Sequence, residues 1–176
     1  MKNINIIAIS GSLRPNSSNS TIINIIAGMA PSEVNIVTYG GLADLPHFNP
    51  ELDNESPSAS VTDFRAQLKS ADAVLICTPE YAFGVPGSLK NALDWTVSSS
   101  EFVDKPTALI TASSQGQHAH ASLLLTLGAI SAKVSPGATL LIPFIRSKIN
   151  RDGTITDGGV LISLKKVLDN LLQSIA

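Results

Sequence analysis

Serine, arginine and asparagine side chains crowd one short segment near the start of the chain, "GSLRPNSSN" at residues 11–19. Hydroxyls and amides donate short hydrogen bonds, and a guanidinium offers a fixed fork of N–H donors. An apolar pattern at helical spacing follows directly, and a helix N-terminus attracts anions. A single residue of the group would suffice if its only role were to cap that helix. The whole cluster instead predicts a phosphate site with the candidate ligands Ser12, Arg14, Ser17, Ser18 and Asn19.

Two familiar phosphate-binding motifs are absent from the sequence. It contains no G-x-x-x-x-G-K-[ST] and no G-x-G-x-x-G. These absences argue against a Walker-type nucleoside triphosphatase and against the usual Rossmann dinucleotide site.

A second segment, "TPEYAFGVPGSLKNALDW" at residues 78–95, surrounds Tyr81 and Phe83 with prolines and glycines. Such a rigid segment suits the presentation of backbone groups and a flat apolar surface to a planar ligand. The alternative is an ordinary strand-to-helix turn whose aromatic rings pack inward. A third polar segment, "SSQGQHA", occupies residues 113–119.

Composition narrows the class of protein. The chain has 176 residues, 44% of them hydrophobic and 15% charged, which predicts one compact domain over residues 1–176. Its net charge of −2 gives no reason to expect a nucleic acid or an anionic membrane as partner. The single cysteine, Cys77, lies in an apolar run and is expected to be a buried thiol. Without a secretory signal or a membrane-spanning segment, the expected location is the cytoplasm.

Short apolar runs alternate with longer amphipathic ones along the chain. The predicted strands cover residues 4–10, 33–39, 72–78, 106–112 and 137–145, with the second nearer an edge because it is more polar. The predicted helices cover Ile22 to Met29, residues 58–70, Pro86 to Trp95 or Val97, residues 118–132 and residues 158–175. Five strands alternating with five helices predict a doubly wound α/β domain. The loops after its parallel strands then meet at one sheet edge.

Several further residues have simpler expected roles. His118 and His120 are two positions apart and do not share a helix face, so no metal site is predicted. Glu80 is expected to orient its loop rather than to act as a catalytic acid. The Pro- and Asn-rich stretch at residues 40–57 is expected to be a surface loop. Candidates for contact with a partner subunit are Asn91, Asp94 and Trp95.

"GSLRPNSSN" followed some sixty residues later by "PEYAFGVPGSLKNALDW" resembles the NADPH-dependent FMN reductase family, which includes FMN, quinone, azo and chromate reductases. The order and spacing of the motifs match over nearly the whole chain. The resemblance implies a flavodoxin-like, three-layer, doubly wound fold with five parallel strands in the order 2-1-3-4-5. It implies FMN as cofactor and NAD(P)H as co-substrate. It also implies an oxidoreductase that passes two electrons to a small acceptor: a quinone, free flavin, azo compound or metal ion.

The resemblance also assigns roles to individual residues. Ser12, Arg14, Ser17 and Asn19 would hold the phosphate of FMN, with Ser18 beside them. The ring would be lined by Pro79, Glu80, Tyr81, Ala82, Phe83 and Gly84 on one side and by Ser113, Ser114, Gln115 and Gly116 on the other. No residue of the protein need act as a nucleophile, since the cofactor carries the hydride. The family also implies a homodimer or homotetramer with the flavin near the interface.

Two departures from the family pattern stand out. Ala82 occupies a position where many relatives have Asn, and His118 with Ala119 replaces a typical glycine pair. Two other functions share the fold and cofactor: a flavodoxin-like one-electron carrier and a non-catalytic FMN-binding domain. The net charge of −2 disfavours the carrier, because such proteins use strong acidic charge to dock their partners.

Overall fold

A computed structural model describes residues 3–150 and 152–175 of the chain. Its centre is a five-stranded, entirely parallel sheet in the order β2-β1-β3-β4-β5. The strands are β1 (Ile4–Ser10), β2 (Val34–Thr38), β3 (Ala73–Thr78), β4 (Thr107–Ala112) and β5 (Thr139–Ile142). The helices are α1 (Ser18–Met29), α2 (Ala59–Ser70), α3 (Gly87–Asp94), α4 (Gln117–Ala129) and α5 (Gly158–Ile175). The predicted flavodoxin-like fold and strand order are confirmed.

Helices cover both faces of the sheet and create two apolar cores. On one face, α1 and α5 pack side chains such as Ile22 and Leu164 against alternate residues of the central strands. On the other face, α2, α3 and α4 contribute side chains such as Phe64, Leu93 and Leu123. Every residue of β3 and β4 is buried, as expected for central strands covered on both sides. β2 pairs only with β1 and is more exposed, which confirms its predicted edge position.

The fifth strand is shorter than the predicted span of residues 137–145. Residues Pro136–Ala138 form a short 3₁₀ turn before it, and the chain leaves the sheet at Pro143. Phe144 then adopts a left-handed backbone conformation with φ of 54°, which a strand cannot contain. Residues 143–147 therefore form a loop at the site edge of the sheet instead of a strand end.

The loop at residues 40–57, expected to be a surface loop, is anchored to the rest of the protein at two points. The indole Nε1 of Trp95 donates to the carbonyl oxygen of Pro46 at 2.8 Å, and the Asn91 amide donates to the same oxygen at 3.0 Å. Arg65 forms an ion pair with Asp53 at 2.7 Å near the other end of the loop. Asn91 and Trp95 thus face this loop. Trp95 is buried within the chain itself, whereas contact of the half-buried Asn91 and Asp94 with a partner subunit stays a prediction.

The lengths and compositions of the helices show whether any of them could span a membrane. Within the described residues, no helix combines the length and the apolar composition needed to cross a bilayer.

Gly11, at the end of β1, allows a close approach to β3 that a side chain would prevent. A Cβ atom there would lie 2.2 Å from the Thr78 Oγ1 atom and 2.8 Å from its Cβ atom. We expect Gly11→Ala to lower the free energy of unfolding by about 1–3 kcal/mol, because the strands must move apart. Urea denaturation of the purified variant measures this loss.

Gly28→Ala is the matched control for this substitution. Gly28 lies in α1, and an added Cβ atom would meet nothing within 4 Å. The same chemical change should therefore stabilise the protein by up to about 1 kcal/mol through helix propensity. Equal effects of the two alanines would contradict the close approach at Gly11.

Candidate functional site

The loops that follow β1, β3 and β4 meet around a polar cavity of about 250 Å³. All five predicted phosphate ligands line this cavity, together with Pro79, Glu80 and Tyr81. An aromatic cavity of about 390 Å³ adjoins it and is lined by Ala82, Phe83 and Gln115. Glu80, Ser113 and Ser114 line both cavities. The sequence-predicted loops therefore converge as expected at the carboxyl edge of the sheet.

The N-terminus of α1 opens into the polar cavity. Ser17 is the N-cap, and its hydroxyl accepts from the Ser20 N–H at 3.0 Å. Among the described residues, the backbone N–H groups of Ser17, Ser18 and Asn19 have no acceptor. The capping role expected as the alternative thus accounts for the Ser17 side chain alone. The remaining donors are free to bind an anion.

Asn19 is oriented from beneath by the single cysteine. The Cys77 thiol donates to the Asn19 Oδ1 atom at 3.3 Å, and both side chains are buried. This bond uses the amide oxygen, so the amide nitrogen is the atom left to donate to a ligand. Burial also raises the pKa of the Cys77 thiol, which confirms the predicted buried, inert thiol.

Tyr81 and Gly84 close a tight turn that displays two aromatic rings. Their backbones exchange hydrogen bonds of 3.1 and 2.9 Å, and the two central residues, Ala82 and Phe83, have φ of 49° and 60°. Residues other than glycine rarely adopt these left-handed φ values, although Asn does so more readily than Ala. The turn leaves Tyr81 51% and Phe83 69% exposed, so the aromatic rings do not pack inward.

Glu80 joins the second loop to the third. Its carboxylate accepts from the backbone N–H groups of Gly116 at 3.2 Å and Ala119 at 2.9 Å, while its own N–H donates to the Ser113 hydroxyl. It caps α4, whose N-cap Gly116 has no side chain to do so. Burial would raise the pKa of Glu80, but hydrogen bonds from Ala119, Gly116 and His118 outweigh it and lower the pKa. The geometry supports the predicted loop-orienting role.

Within residues 80–84 and 114–116, four backbone N–H groups have no acceptor in the described part of the chain. They belong to Ala82, Phe83, Ser114 and Gln115. The other four N–H groups of these two ranges form hydrogen bonds within the protein itself. Internal bonds occupy those of Glu80, Tyr81, Gly84 and Gly116.

Gly84 and Gly116 line neither cavity, unlike the other predicted site residues. Gly84 closes the tight turn, and Gly116 needs its φ of 100° at the start of α4. His118 lies beside the site, with its ring centroid 5.1 Å from that of Phe83 in an edge-to-face arrangement. No group of three or more metal-ligating side chains occurs within residues 3–150 and 152–175.

Sequence reasoning missed the loop after β5. Arg146 and Ile145 line the polar cavity, and Phe144 lines the aromatic one. Two backbone bonds fix this loop to the third one, from Phe144 N–H to the Ser114 oxygen at 3.1 Å and from Ile145 N–H to the Ser113 oxygen at 3.2 Å. The apolar residues of "LLIPFI" (140–145) predicted a strand that continues to residue 145, although Pro143 already indicated an earlier end of that strand.

The cap formed by Glu80 can be tested through its charge. We expect Glu80→Gln to lower the free energy of unfolding by about 1 kcal/mol near neutral pH, since the negative charge at the α4 N-terminus is lost. The folded-state pKa of Glu80 is depressed, so its contribution is present above the ordinary carboxyl pKa and disappears as the pH falls through the folded value. Urea unfolding at neutral and acid pH measures both effects.

Glu55→Gln serves as the control, because Glu55 is exposed and accepts no hydrogen bond from the described residues. It should change stability little at either pH. A Glu80→Gln deficit that stayed constant or grew in acid would contradict the capping role.

Curated relatives match a little under two thirds of the chain. It is 35% identical over 118 residues to a quinone reductase of Escherichia coli, an alignment covering 64% of this chain and 61% of that protein. It is 37% identical over 112 residues to an NAD(P)H-dependent FMN reductase of Pseudomonas aeruginosa, covering 62% and 60%. The matched stretch thus spans about three fifths of the relatives' length.

Solved structures match over almost the entire chain. The flavoenzyme NAD(P)H:(acceptor) oxidoreductase FerB of Paracoccus denitrificans superimposes with a TM-score of 0.82 at 25% identity, covering 98% of this chain and 97% of that one. An archaeal flavodoxin superimposes with a TM-score of 0.65 at 11% identity, covering 98% and 99%, which shows a shared fold alone.

The family itself is given by a match to its sequence model. The description of that family is NADPH-dependent FMN reductase, and the match covers residues 4–146, which include all three predicted loops and Arg146. The resemblance carried by "GSLRPNSSN" and "PEYAFGVPGSLKNALDW" is therefore confirmed, as are FMN and NAD(P)H as the ligands that define the family. The chain belongs to the NADPH-dependent FMN reductase family.

Proposed function

We propose that this protein is an FMN-dependent NAD(P)H oxidoreductase that passes two electrons to a small acceptor of the quinone, free flavin, azo or metal-ion class. The observation that carries the proposal is the pair of adjoining cavities. One is polar and lined by hydroxyls and cations, and the other is flanked by the exposed rings of Phe83 and Phe144. A ligand with a phosphate at one end and a planar ring at the other suits both.

The polar cavity fits the phosphate of FMN by its chemistry. The unpartnered N–H groups at the α1 N-terminus and the amide nitrogen of Asn19 supply neutral donors. Arg14 supplies a positive charge and makes no ion pair or side-chain hydrogen bond within residues 3–150 and 152–175. Charge-assisted hydrogen bonds of this kind contribute roughly 1.5–3 kcal/mol each.

The aromatic cavity suits the flavin ring together with an aromatic co-substrate or acceptor that stacks on it. The free N–H groups of Ala82, Phe83, Ser114 and Gln115 are the donors available for polar atoms of a planar ligand. Donors that are already fixed in place stabilise negative charge on a bound ring without further reorganisation. Phe83 and Phe144 lend apolar surface, which favours aromatic partners such as a nicotinamide or a quinone.

When bound, FMN supplies the hydride chemistry, and the protein supplies binding and electrostatics. The chain's own contribution is to hold the phosphate, keep the loops joined through Glu80 and leave the aromatic cavity open to small molecules. No side chain is assigned a catalytic proton transfer. The carboxylate of Glu80 is engaged by two backbone N–H groups, which suits it to positioning rather than to acid catalysis.

A flavodoxin-like one-electron carrier is the main alternative function. Such a carrier would need an acidic surface around its cofactor for docking a redox protein. Among the described residues, Glu80 is the single acidic one that lines the two cavities, whereas two arginines line the polar one. This charge balance favours the reductase. A non-catalytic FMN-binding domain would share the cavities and differs only in turnover.

We further propose a cytoplasmic homodimer or homotetramer with the flavin near the subunit interface. Tyr81 and Phe83 are exposed beside the site, and Leu125 on α4 is 78% exposed. Burial of such surface against another subunit would add apolar contact. The one buried cysteine is compatible with a reducing compartment.

The proposed activity predicts two coupled observations on the purified chain. It should carry or take up FMN, seen in the flavin absorbance bands, and it should oxidise NADPH or NADH when a quinone or free FMN is supplied. A protein that holds flavin but consumes neither nucleotide would support the carrier or binding-domain alternative. A protein that takes up no FMN would contradict the cofactor assignment itself.

Arg14→Ala should weaken FMN binding at least about tenfold, a change of about 1.4 kcal/mol, because the phosphate loses a charged donor. Fluorescence titration of the flavin-free chain measures the affinity. Leu13→Ala is the matched control in the same loop, since Leu13 is 56% exposed and lines neither cavity. Equal affinities of the Arg14→Ala and Leu13→Ala proteins would place the phosphate elsewhere.

A further inference from the structure

Arg146 lines the polar cavity from a loop that the phosphate motif does not include. It lies in the 3₁₀ turn Ile145–Ser147 after β5, whereas Arg14 lies in the loop after β1. The buried Ile145 and its backbone bond to Ser113 hold the turn beside the third loop. Two arginines thus line one cavity from different parts of the chain.

Neither of these arginines is ion-paired within the described part of the protein, although Asp152 lines a neighbouring cavity together with both. No ion pair and no side-chain hydrogen bond involves Arg14 or Arg146. Arg65 shows the contrasting, structural use of an arginine, since its guanidinium binds Asp53 and the Trp95 carbonyl oxygen. The carboxylate of Glu80, which also lines the cavity, is already occupied by the N–H groups of α4.

Two positive charges that share a cavity disfavour each other unless an anion lies between them. A phosphate monoester carries nearly two negative charges at neutral pH and has three acceptor oxygens. One guanidinium offsets only about half of that charge. A second guanidinium beside the same cavity would offset the rest.

We propose that Arg146 is a second phosphate-binding cation, which makes the site specific for a phosphorylated flavin over riboflavin. This inference rests on the proposed function, because it takes FMN as the occupant of the two cavities. Arg14 and the α1 N-terminus bind the phosphate from one loop, and Arg146 binds it from another. Arg146 is thus a specificity-determining residue whose effect depends on the 5′-phosphate.

The test compares FMN with riboflavin, which lacks the phosphate, as ligands of the flavin-free full-length chain. We expect Arg146→Ala to weaken FMN binding about tenfold and to leave riboflavin binding unchanged. Arg146→Lys keeps the charge and should recover part of the loss. The FMN affinity of Arg146→Ala should also fall less steeply with added salt than that of the unmodified protein, because one charge contact is missing.

Lys166→Ala is the matched control, since it removes one positive charge from α5 at an exposed residue that lines neither cavity. It should leave both affinities unchanged. Equal FMN affinity of the Arg146→Ala and Lys166→Ala proteins would overturn the role of Arg146 while leaving the proposed function intact. A parallel loss of FMN and riboflavin binding would overturn it too, as would an unmodified protein that binds both equally. An unmodified protein that binds neither flavin would instead refute the proposed function.

Discussion

Parallel strands joined by helical crossovers all end at the same edge of a sheet, and this constraint decides where the site can form. β1, β3 and β4 are adjacent at the centre of the sheet, although their segments are separated by some sixty and thirty residues in the chain. The strand order changes direction between β1 and β3, since β2 returns to one side and β3 to the other. The loops can diverge at such a point and leave a crevice. The loops after β1 and β3 begin on either side of that point, and the loop after β4 begins at the next strand.

Within that crevice, a ligand can bind only to the backbone N–H groups that do not already form hydrogen bonds within the protein. Glu80 takes up the N–H groups at the start of α4, so that helix is already occupied by an anion of the protein. The start of α1 is different, because Ser17 caps only one donor and Ser18 and Asn19 keep theirs. Two helix N-termini close in space therefore have opposite roles. One joins two loops, and the other is left for a ligand.

Much of the fold followed from patterns that are local in the sequence. Apolar runs located the central strands, and the alternation of elements predicted their parallel arrangement. The end of β5 could not be placed in the same way, since its apolar residues continue beyond Pro143 into a loop. This error hid Arg146 from the site. The anchoring of Pro46 by Asn91 and Trp95 was also missed, because both hydrogen bonds join residues more than forty positions apart. A cluster of hydroxyls and an arginine within one loop can be recognised from its spacing in the sequence. A site residue from a distant turn, such as Arg146, can be recognised only from the tertiary structure.

The thiol beneath the phosphate cradle has a chemical consequence of its own. Quinones and other electron acceptors are electrophiles or oxidants, and they react with thiolates far faster than with thiols. Cys77 lies within a central strand with no solvent exposure, and its raised pKa keeps it protonated. Its hydrogen bond to Asn19 further occupies the proton that would have to leave. The single thiol of the sequence is thus protected from reaction with the compounds proposed to enter the neighbouring cavity.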